Sequence, residues 1–220
     1  MSGRIALVLA VAAVALATAA AVPAGDGKQQ IKFNATDQAA ARAVVMRRAD
    51  LGSSGWAGGP LKPDLSTGPT CPNYDPKVSD LVLTGAARTN FRRSGFDFDS
   101  QAGVLKTRRM VALDWRRSVL TRGVVPCLRR TIANGLGPGA KMVSFAKLPF
   151  PHLSTYTAFF RGVISAQAQG KTVRVLTDLV LVGRSRTELT LTVVGPAAAK
   201  SAISAAERRL ARSLISRARA

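Results

Sequence analysis

Side chains that could perform catalysis are few in this sequence. His152 is the only histidine, and it follows the proline-flanked turn Pro149-Phe150-Pro151. A serine hydrolase needs a nucleophile, a base and an orienting acid, and the GxSxG turn that often holds the serine does not occur. Asp97 and Asp99 are the closest pair of carboxylates, but acids in a hairpin turn have a simpler structural explanation. The sequence therefore predicts no catalytic residues, and a secreted hydrolase with an unconventional site is the alternative.

Motifs for cofactors and metals are missing as well. Neither GxGxxG nor a phosphate-binding P-loop is present, and the glycine-rich stretch 135–139 is typical of a helix stop followed by a turn. Cys71 and Cys127 are the only cysteines and lack CxxC spacing, so with one histidine they do not supply four zinc ligands. We therefore expect neither a cofactor nor a bound metal.

The N-terminal segment has the features of a signal peptide. Arg4 precedes an uninterrupted apolar run, Ile5 to Val22, and residues 22–24 match a signal-peptidase site, with 17–19 as the second choice. An uncleaved membrane anchor is the competing interpretation, because about 18 apolar residues is the lower limit of a membrane span. The alanine-rich composition and the cleavage-like end favour a signal peptide over 1–24. We expect the protein to be secreted or associated with the cell envelope.

An exported chain reaches an oxidising compartment, where an even number of cysteines indicates disulfide formation. We therefore predict one disulfide between Cys71 and Cys127. It would fasten a long loop to a helix and provide a large share of the stability of a small domain.

The chain is strongly basic, with 32 Lys and Arg against 12 acids and a formal charge of +20. Such a field attracts polyanions and anionic surfaces. Export and the scarcity of aromatic residues for base stacking argue against nucleic acid. An anionic cell-wall polymer or lipid headgroups are therefore the expected partners. We expect the protein to be a monomer. A solvated arginine-rich surface without a specific partner is an equally weighted alternative, since arginine pairs are dispersed along the chain.

After the signal peptide we predict a flexible leader over 25–35 and a single domain over 36–218. Hydrophobic periodicity and turn residues predict the elements of this domain. Helices are predicted at 36–50, 113–136 and 197–217, strands at 81–92, 103–111, 141–148, 155–167, 172–182 and 187–194, and a long loop at 51–75. Pro126 predicts a bend near Gly123 or two helical pieces.

These elements define an α+β fold of order α-β-β-α-β-β-β-β-α. The short separators between the last four strands suit hairpins, so we predict an antiparallel sheet of about six strands packed against helices. Apolar and polar residues alternate along 187–194, which predicts a sheet covered on one face.

Aromatic residues are the remaining candidates for a ligand site. They could line a cleft between sheet and helices or belong to the core. The five candidates are Trp56, Trp115, Tyr156, Phe159 and Phe160.

A run from Asp50-Leu51 to Gly55-Trp56, the two cysteines, and the strand 180–183 leading into 190–195 and the last helix form a pattern. It resembles the PsbP-like extracytoplasmic sensor-type domains of actinobacterial serine/threonine kinases and related lipoproteins, over most of 36–217. The resemblance implies an α+β sandwich and a non-catalytic domain that binds a ligand or wall component. One cysteine pair replaces the usual two, and the sequence contains neither a kinase domain nor a lipobox. No ligand residue is therefore transferred, and an exported sensor-type binding domain is the expected function.

Overall fold

An eight-stranded sheet carries helices on both of its faces. The structure is a computed structural model, and it describes residues 28–52, 54–66, 68–168 and 170–218. The predicted signal peptide, 1–24, lies outside these residues. Among the helices of the described part, none is long and apolar enough to cross a membrane.

The elements alternate along the chain in an α+β order. The strands are β1 Gln30–Ile31, β2 Ala57–Leu61, β3 Val82–Arg93, β4 Phe96–Leu105, β5 Ala140–Leu148, β6 Tyr156–Ala168, β7 Lys171–Arg184 and β8 Thr187–Pro196. The α-helices are α1 Ala35–Val44, α2 Arg108–Asp114, α3 Val124–Asn134 and α4 Lys200–Ser216. A π-helical turn, Trp115–Val119, continues α2, and short 3-10 turns occupy Arg48–Leu51 and Ala197–Ala199.

The sheet has the strand order β1-β3-β4-β8-β7-β6-β5, and β2 also pairs with β3. Every pairing is antiparallel except the short parallel contact of β1 with β3. The predicted α+β class, the antiparallel sheet and its four C-terminal strands are thus confirmed. The predicted number of strands, about six, is too low because the short strands β1 and β2 have no alternating apolar pattern.

The two unpredicted strands are short and have the composition of loops. Gln30–Ile31 lies in the segment predicted as a flexible leader, 25–35, yet the Gln30 and Lys32 amides donate to the Leu81 and Leu83 carbonyls of the β3 region. The second strand, β2, has the sequence Ala-Gly-Gly-Pro-Leu. A Cβ at Gly58 would lie 2.1 Å from the Asn90 carbonyl oxygen, so this strand needs glycine to approach β3.

The partner of β3 starts earlier than predicted. Only Ser94 and Gly95 form the hairpin turn, both with positive φ (44° and 83°), and the strand begins at once with Phe96. The run that we interpreted as a turn alternates instead: Phe98 is buried, whereas Asp97 pairs with Arg92. The predicted strand 103–111 is therefore wrong in its second half, where α2 begins.

The helix predicted over 113–136 is interrupted, as Pro126 indicated. The π-helical turn ends at Val119, and α3 starts after Gly123. Pro126 lies in the first turn of α3, where its missing amide removes no intrahelical hydrogen bond. Gly123 is closely packed, since a Cβ there would lie 2.7 Å from the Asn73 carbonyl oxygen.

Hydrophobic side chains form one core on each face of the sheet. On the first face, α1 and α4 cover residues such as Val180, Leu191 and Phe91. On the second face, α2, α3 and the segment 68–80 cover residues such as Phe160 and Leu105. The prediction of a sheet covered on one face is therefore wrong. The polar alternate residues of β8 are half-buried rather than solvated.

The disulfide between Cys71 and Cys127 is confirmed, with an S–S distance of 2.00 Å and a Cα–Cα distance of 5.6 Å. It fastens the loop before β3 to the buried side of α3. The Tyr74 hydroxyl adds a second attachment by donating to the Ser118 carbonyl oxygen at 2.8 Å. Burial and the charge of Asp114 raise the pKa of Tyr74 to about 12, so this hydroxyl keeps its proton at neutral pH.

Loss of this disulfide should lower the free energy of unfolding by about 4 kcal/mol, because the cross-link closes a loop of 56 residues. Urea denaturation followed by tryptophan fluorescence, with and without reductant, measures the change. A Cys71→Ala/Cys127→Ala variant is the control and should not respond to reductant. A wild-type midpoint that reductant does not move would contradict the prediction.

Candidate ligand-binding groove

A groove of about 400 Å³ lies between α3 and β5. Its volume is in the range of small-molecule sites, but the groove is shallow and widely open to solvent. Six residues line it: Val125, Pro126, Arg129, Arg130, Ala133 and Phe145. The lining therefore combines an apolar surface with two guanidinium groups and contains no acid. We call it the α3–β5 groove.

The position of α3 follows from its two unlike faces. Val124 and Cys127 are buried against the sheet, whereas Pro126, Arg129 and Arg130 are exposed. The disulfide at Cys127 holds the buried face in place. The exposed face is therefore presented to solvent in a fixed orientation beside β5.

The strand side of the groove rests on an aromatic pair. Phe145 of β5 stacks on the fully buried Phe160 of β6, with ring centroids 6.1 Å apart and planes 8° from parallel. Two residues further along β5, the Lys147 amino group lies 6.0 Å from the centre of the Phe160 ring. Because alternate residues of a strand share a face, Lys147 adds a third cation on this side of the sheet.

The five aromatic candidates from the sequence do not come together in one cleft. Trp56 and Phe159 lie in the core on the α1 and α4 face, where their rings pack on Phe98 and Phe150. Trp115, Tyr156 and Phe160 belong to the other core, where the ring centroids of Trp115 and Tyr156 are 5.4 Å apart. None of the five lines the α3–β5 groove, although Phe160 supports Phe145 from below. Their packing is that of core residues.

Comparison with known proteins adds no assignment. No family model and no curated protein matches this chain. The function must therefore be argued from the geometry of the described residues.

The groove residues had no signal of their own in the sequence. Arg129 and Arg130 form one of several adjacent arginine pairs in the sequence, and nothing distinguishes them from the other pairs. Phe145 comes from a strand that follows α3, and only the packing of β5 beside this helix joins the two. A helical wheel of 124–134 would have separated the buried and exposed faces, but it would not have identified the opposite wall.

The potential catalytic residues of the sequence lie apart. His152 is exposed in the connection between β5 and β6, and within the described part of the chain no carboxylate pairs with it. Asp99 of β4 forms an ion pair with Arg88, 2.9 Å apart, across the hairpin from β3. Burial raises the pKa of Asp99. In residues 28–52, 54–66, 68–168 and 170–218, no group of three or more His, Cys, Asp or Glu could hold a metal ion.

Two carboxyl groups meet beneath the π-helical turn. Asp114 accepts a hydrogen bond from the Ser118 hydroxyl at 2.6 Å and also contacts Glu188 of β8. One carboxyl oxygen of Glu188, Oε1, is buried and has no hydrogen-bond partner among the described residues. Burial and the negative charge of Asp114 raise the pKa of Glu188 well above its ordinary value. The contact between the two carboxyl groups joins the end of α2 to the sheet.

A second buried cluster joins α4 to the opposite face. Arg161 of β6 donates through Nε to Asp178 of β7 at 2.8 Å and through a second nitrogen to Ser204 of α4 at 2.9 Å. Glu207 of α4 lies 3.5 Å from the same guanidinium and is hydrogen-bonded to Asp178. Burial, this hydrogen bond and the charge of Asp178 raise the pKa of Glu207 to about 9. The charged side chains of this cluster are almost completely buried, so a ligand cannot reach them. We therefore assign the cluster to the packing of α4 against the sheet.

Replacing Glu207 by glutamine should stabilise the protein increasingly as the pH rises. The folded protein keeps a proton on Glu207 up to about pH 9, whereas the unfolded chain loses it near pH 4.5. Wild-type stability therefore falls between these values, by up to about 1.4 kcal/mol per pH unit, while Glu207→Gln escapes this loss. Urea denaturation at several pH values measures the difference.

The exposed Asp75 provides a matched control, since Asp75→Asn removes one negative charge from the surface. A stability difference between Glu207→Gln and wild type that stays constant from pH 5 to pH 8 would show that Glu207 is not held protonated.

Proposed function

We propose that this protein is an exported, non-catalytic binding domain of the sensor type, which takes an anionic ligand of the cell envelope in the α3–β5 groove. The observation that carries the proposal is the lining of the groove. Arg129 and Arg130 flank an apolar surface that contains Phe145 and no carboxylate. An apolar site with a few convergent charged groups is the usual composition of a ligand site.

Charge distribution supports an anionic ligand. Between residues 106 and 134 there are eight Lys and Arg residues and a single acid, Asp114. That acid is turned toward Glu188 and Ser118, not toward the groove. The arginines of α3 therefore face solvent with little compensating negative charge nearby, and a field of this sign attracts anions.

Acids elsewhere in the described residues are largely used in ion pairs. Six carboxylates are bound in this way: Asp37, Asp50, Asp80, Asp97, Asp99 and Asp178. At Asp37, burial raises the pKa, but hydrogen bonds and the charge of Arg186 outweigh it and the pKa is lowered overall. Each pair also neutralises an arginine, so the excess of positive charge is carried by the other Lys and Arg residues.

Export is supported by the disulfide and by the sequence of the first 24 residues. Disulfides persist in oxidising compartments outside the cytoplasm. An anionic wall polymer and lipid headgroups are the anionic materials that a protein meets there. The resemblance to PsbP-like sensor-type domains agrees with a sheet covered by helices and with a binding role.

Replacing Arg129 and Arg130 by glutamine should weaken binding of an anionic ligand about tenfold, because two exposed charge contacts are lost. Isothermal titration calorimetry with inorganic polyphosphate, as a soluble anionic polymer, and with dodecyl phosphate, as an anionic amphiphile, measures this. The control is Arg208→Gln/Arg212→Gln on α4, which removes the same charge from an exposed helix on the other face.

Equal weakening by the two double variants would mean that net charge alone retains the protein, and the groove would not be the site. In that case moderate salt should release the wild type from cell envelopes completely, since exposed charge pairs are screened.

Protein recovered from the medium of an exporting host should begin at Gly25 and contain the Cys71–Cys127 disulfide. Intact mass spectrometry measures both, because the oxidised chain is lighter than the reduced one by two hydrogen atoms. Native spectra from the same sample would also reveal a retained ligand. A chain that keeps residues 1–24 and stays with the membrane would instead support the uncleaved anchor.

A further inference from the structure

Leu120 is the most exposed large hydrophobic side chain in the described part of the protein. Its exposed fraction is 56%, and it lies in the connection between the π-helical turn and α3. A single exposed leucine is common on protein surfaces. Leu120 differs from such residues because exposed arginines lie close to it in the chain.

Arginines surround this leucine along the chain. Arg116 and Arg122 flank it and are exposed, and Arg129 and Arg130 follow on the exposed face of α3. None of these four forms an ion pair with a described residue. The neighbouring Arg117 differs, because it is bound to Asp80 at 2.7 Å.

The segment that carries Leu120 is held in place from several sides. Its backbone amide donates to the Trp115 carbonyl oxygen at 2.9 Å, and Trp115 is buried in the core. The Tyr74 hydroxyl binds the Ser118 carbonyl oxygen at 2.8 Å, and the disulfide at Cys127 fixes the start of α3. The leucine is thus presented in a fixed conformation, so little ordering cost would be added on binding.

We infer that Leu120, Arg116, Arg122, Arg129 and Arg130, which we call the Leu120 surface, dock onto a bilayer that contains anionic lipids. Leu120 enters the interfacial region, and the arginines contact lipid phosphates. An exposed apolar side chain that is flanked along the chain by exposed cations matches the two layers of such a surface. A wall polymer would match the arginines but would leave the leucine in water.

This inference rests on the proposed function, since it requires a protein that reaches the envelope and binds anionic material there. It goes further by selecting lipid over polymer and by assigning a residue outside the α3–β5 groove. The chain also offers a matched control. Leu61 of β2 is 49% exposed, and β2 lies along β3, at the end of the sheet opposite to β5.

The test measures binding of protein recovered from the medium to vesicles of phosphatidylcholine with and without phosphatidylglycerol. Wild type should bind only the anionic vesicles. Leu120→Ser should lower the partition coefficient about tenfold, the effect of withdrawing one half-buried leucine from an apolar phase. Arg122→Gln should lower it about fivefold, the contribution of one basic residue at an anionic surface. Leu61→Ser should have the partition coefficient of the wild type. Arg212→Gln should lower the partition coefficient by less than Arg122→Gln does.

A second measurement reports on position 120 itself. In Leu120→Trp, vesicles with brominated lipid chains should quench the added fluorescence, after subtraction of the wild-type signal from Trp56 and Trp115. Leu61→Trp should not be quenched. This readout holds whether or not residues 1–24 are retained.

The outcomes separate the two proposals. Anionic vesicles that bind Leu120→Ser as well as wild type, without quenching at position 120, would overturn the lipid-docking inference and leave the proposed function standing. Binding of polyphosphate but of no vesicle would do the same. Binding of neither polyphosphate, dodecyl phosphate nor anionic vesicles would overturn both.

Discussion

The bond between Cys71 and Cys127 is the constraint on which the second face of the molecule depends. The first face is covered by α1 and by the seventeen-residue α4, whose buried apolar stripe includes Ile203, Leu210 and Leu214. The second face is covered by pieces that are all shorter than α4: a seven-residue α2, a π-helical turn, the eleven-residue α3 and a loop with little regular structure. Such short helices gain little from their own hydrogen bonding. A covalent link and tertiary packing hold them, and the α3–β5 groove exists because they are held.

Charge is distributed unevenly between the interior and the surface. Ion pairs such as Asp50 with Arg217 join distant parts of the chain and use up acids. At Asp50, burial raises the pKa, but hydrogen bonds from Arg217 and the Arg47 backbone outweigh it and the pKa falls below its ordinary value. Burial beside another carboxyl group raises the pKa of Glu188 and of Glu207. Many acids of the described residues thus have a cationic partner, and the excess of positive charge in the sequence is carried by the remaining Lys and Arg side chains.

Elements with a clear period could be predicted from the sequence, and those governed by close backbone contact could not. The strands β5 to β8 and helix α4 were found because apolar residues recur at the right spacing and short turns separate them. The disulfide followed from the cysteine count. The strand β2 was missed because glycine and proline signal a loop, and only the approach of Gly58 to Asn90 makes it a strand.

The candidate site was harder to predict than the fold. The aromatic side chains were candidates for the lining of a cleft. Because both faces of the sheet are covered, Trp56 and Phe159 are buried in one core and Trp115 and Phe160 in the other. The α3–β5 groove combines a helix face with Phe145, a contact that no local pattern encodes. The sequence gives the net charge but not which arginines remain unpaired at the surface. Tertiary structure brings Asp80 to Arg117, whereas it brings no described acid to Arg122.

The two ends of the sheet also determine how the protein behaves at high concentration. On its outer side β5 meets no other described strand, and Lys141 and Lys147 lie along it. At the other end β3 is screened by β1 and by β2, whose Pro60 has no amide to donate. Lysine side chains and proline at sheet ends oppose pairing with the strands of another molecule. Both sheet ends therefore oppose edge-to-edge association of molecules into fibrils at high concentration.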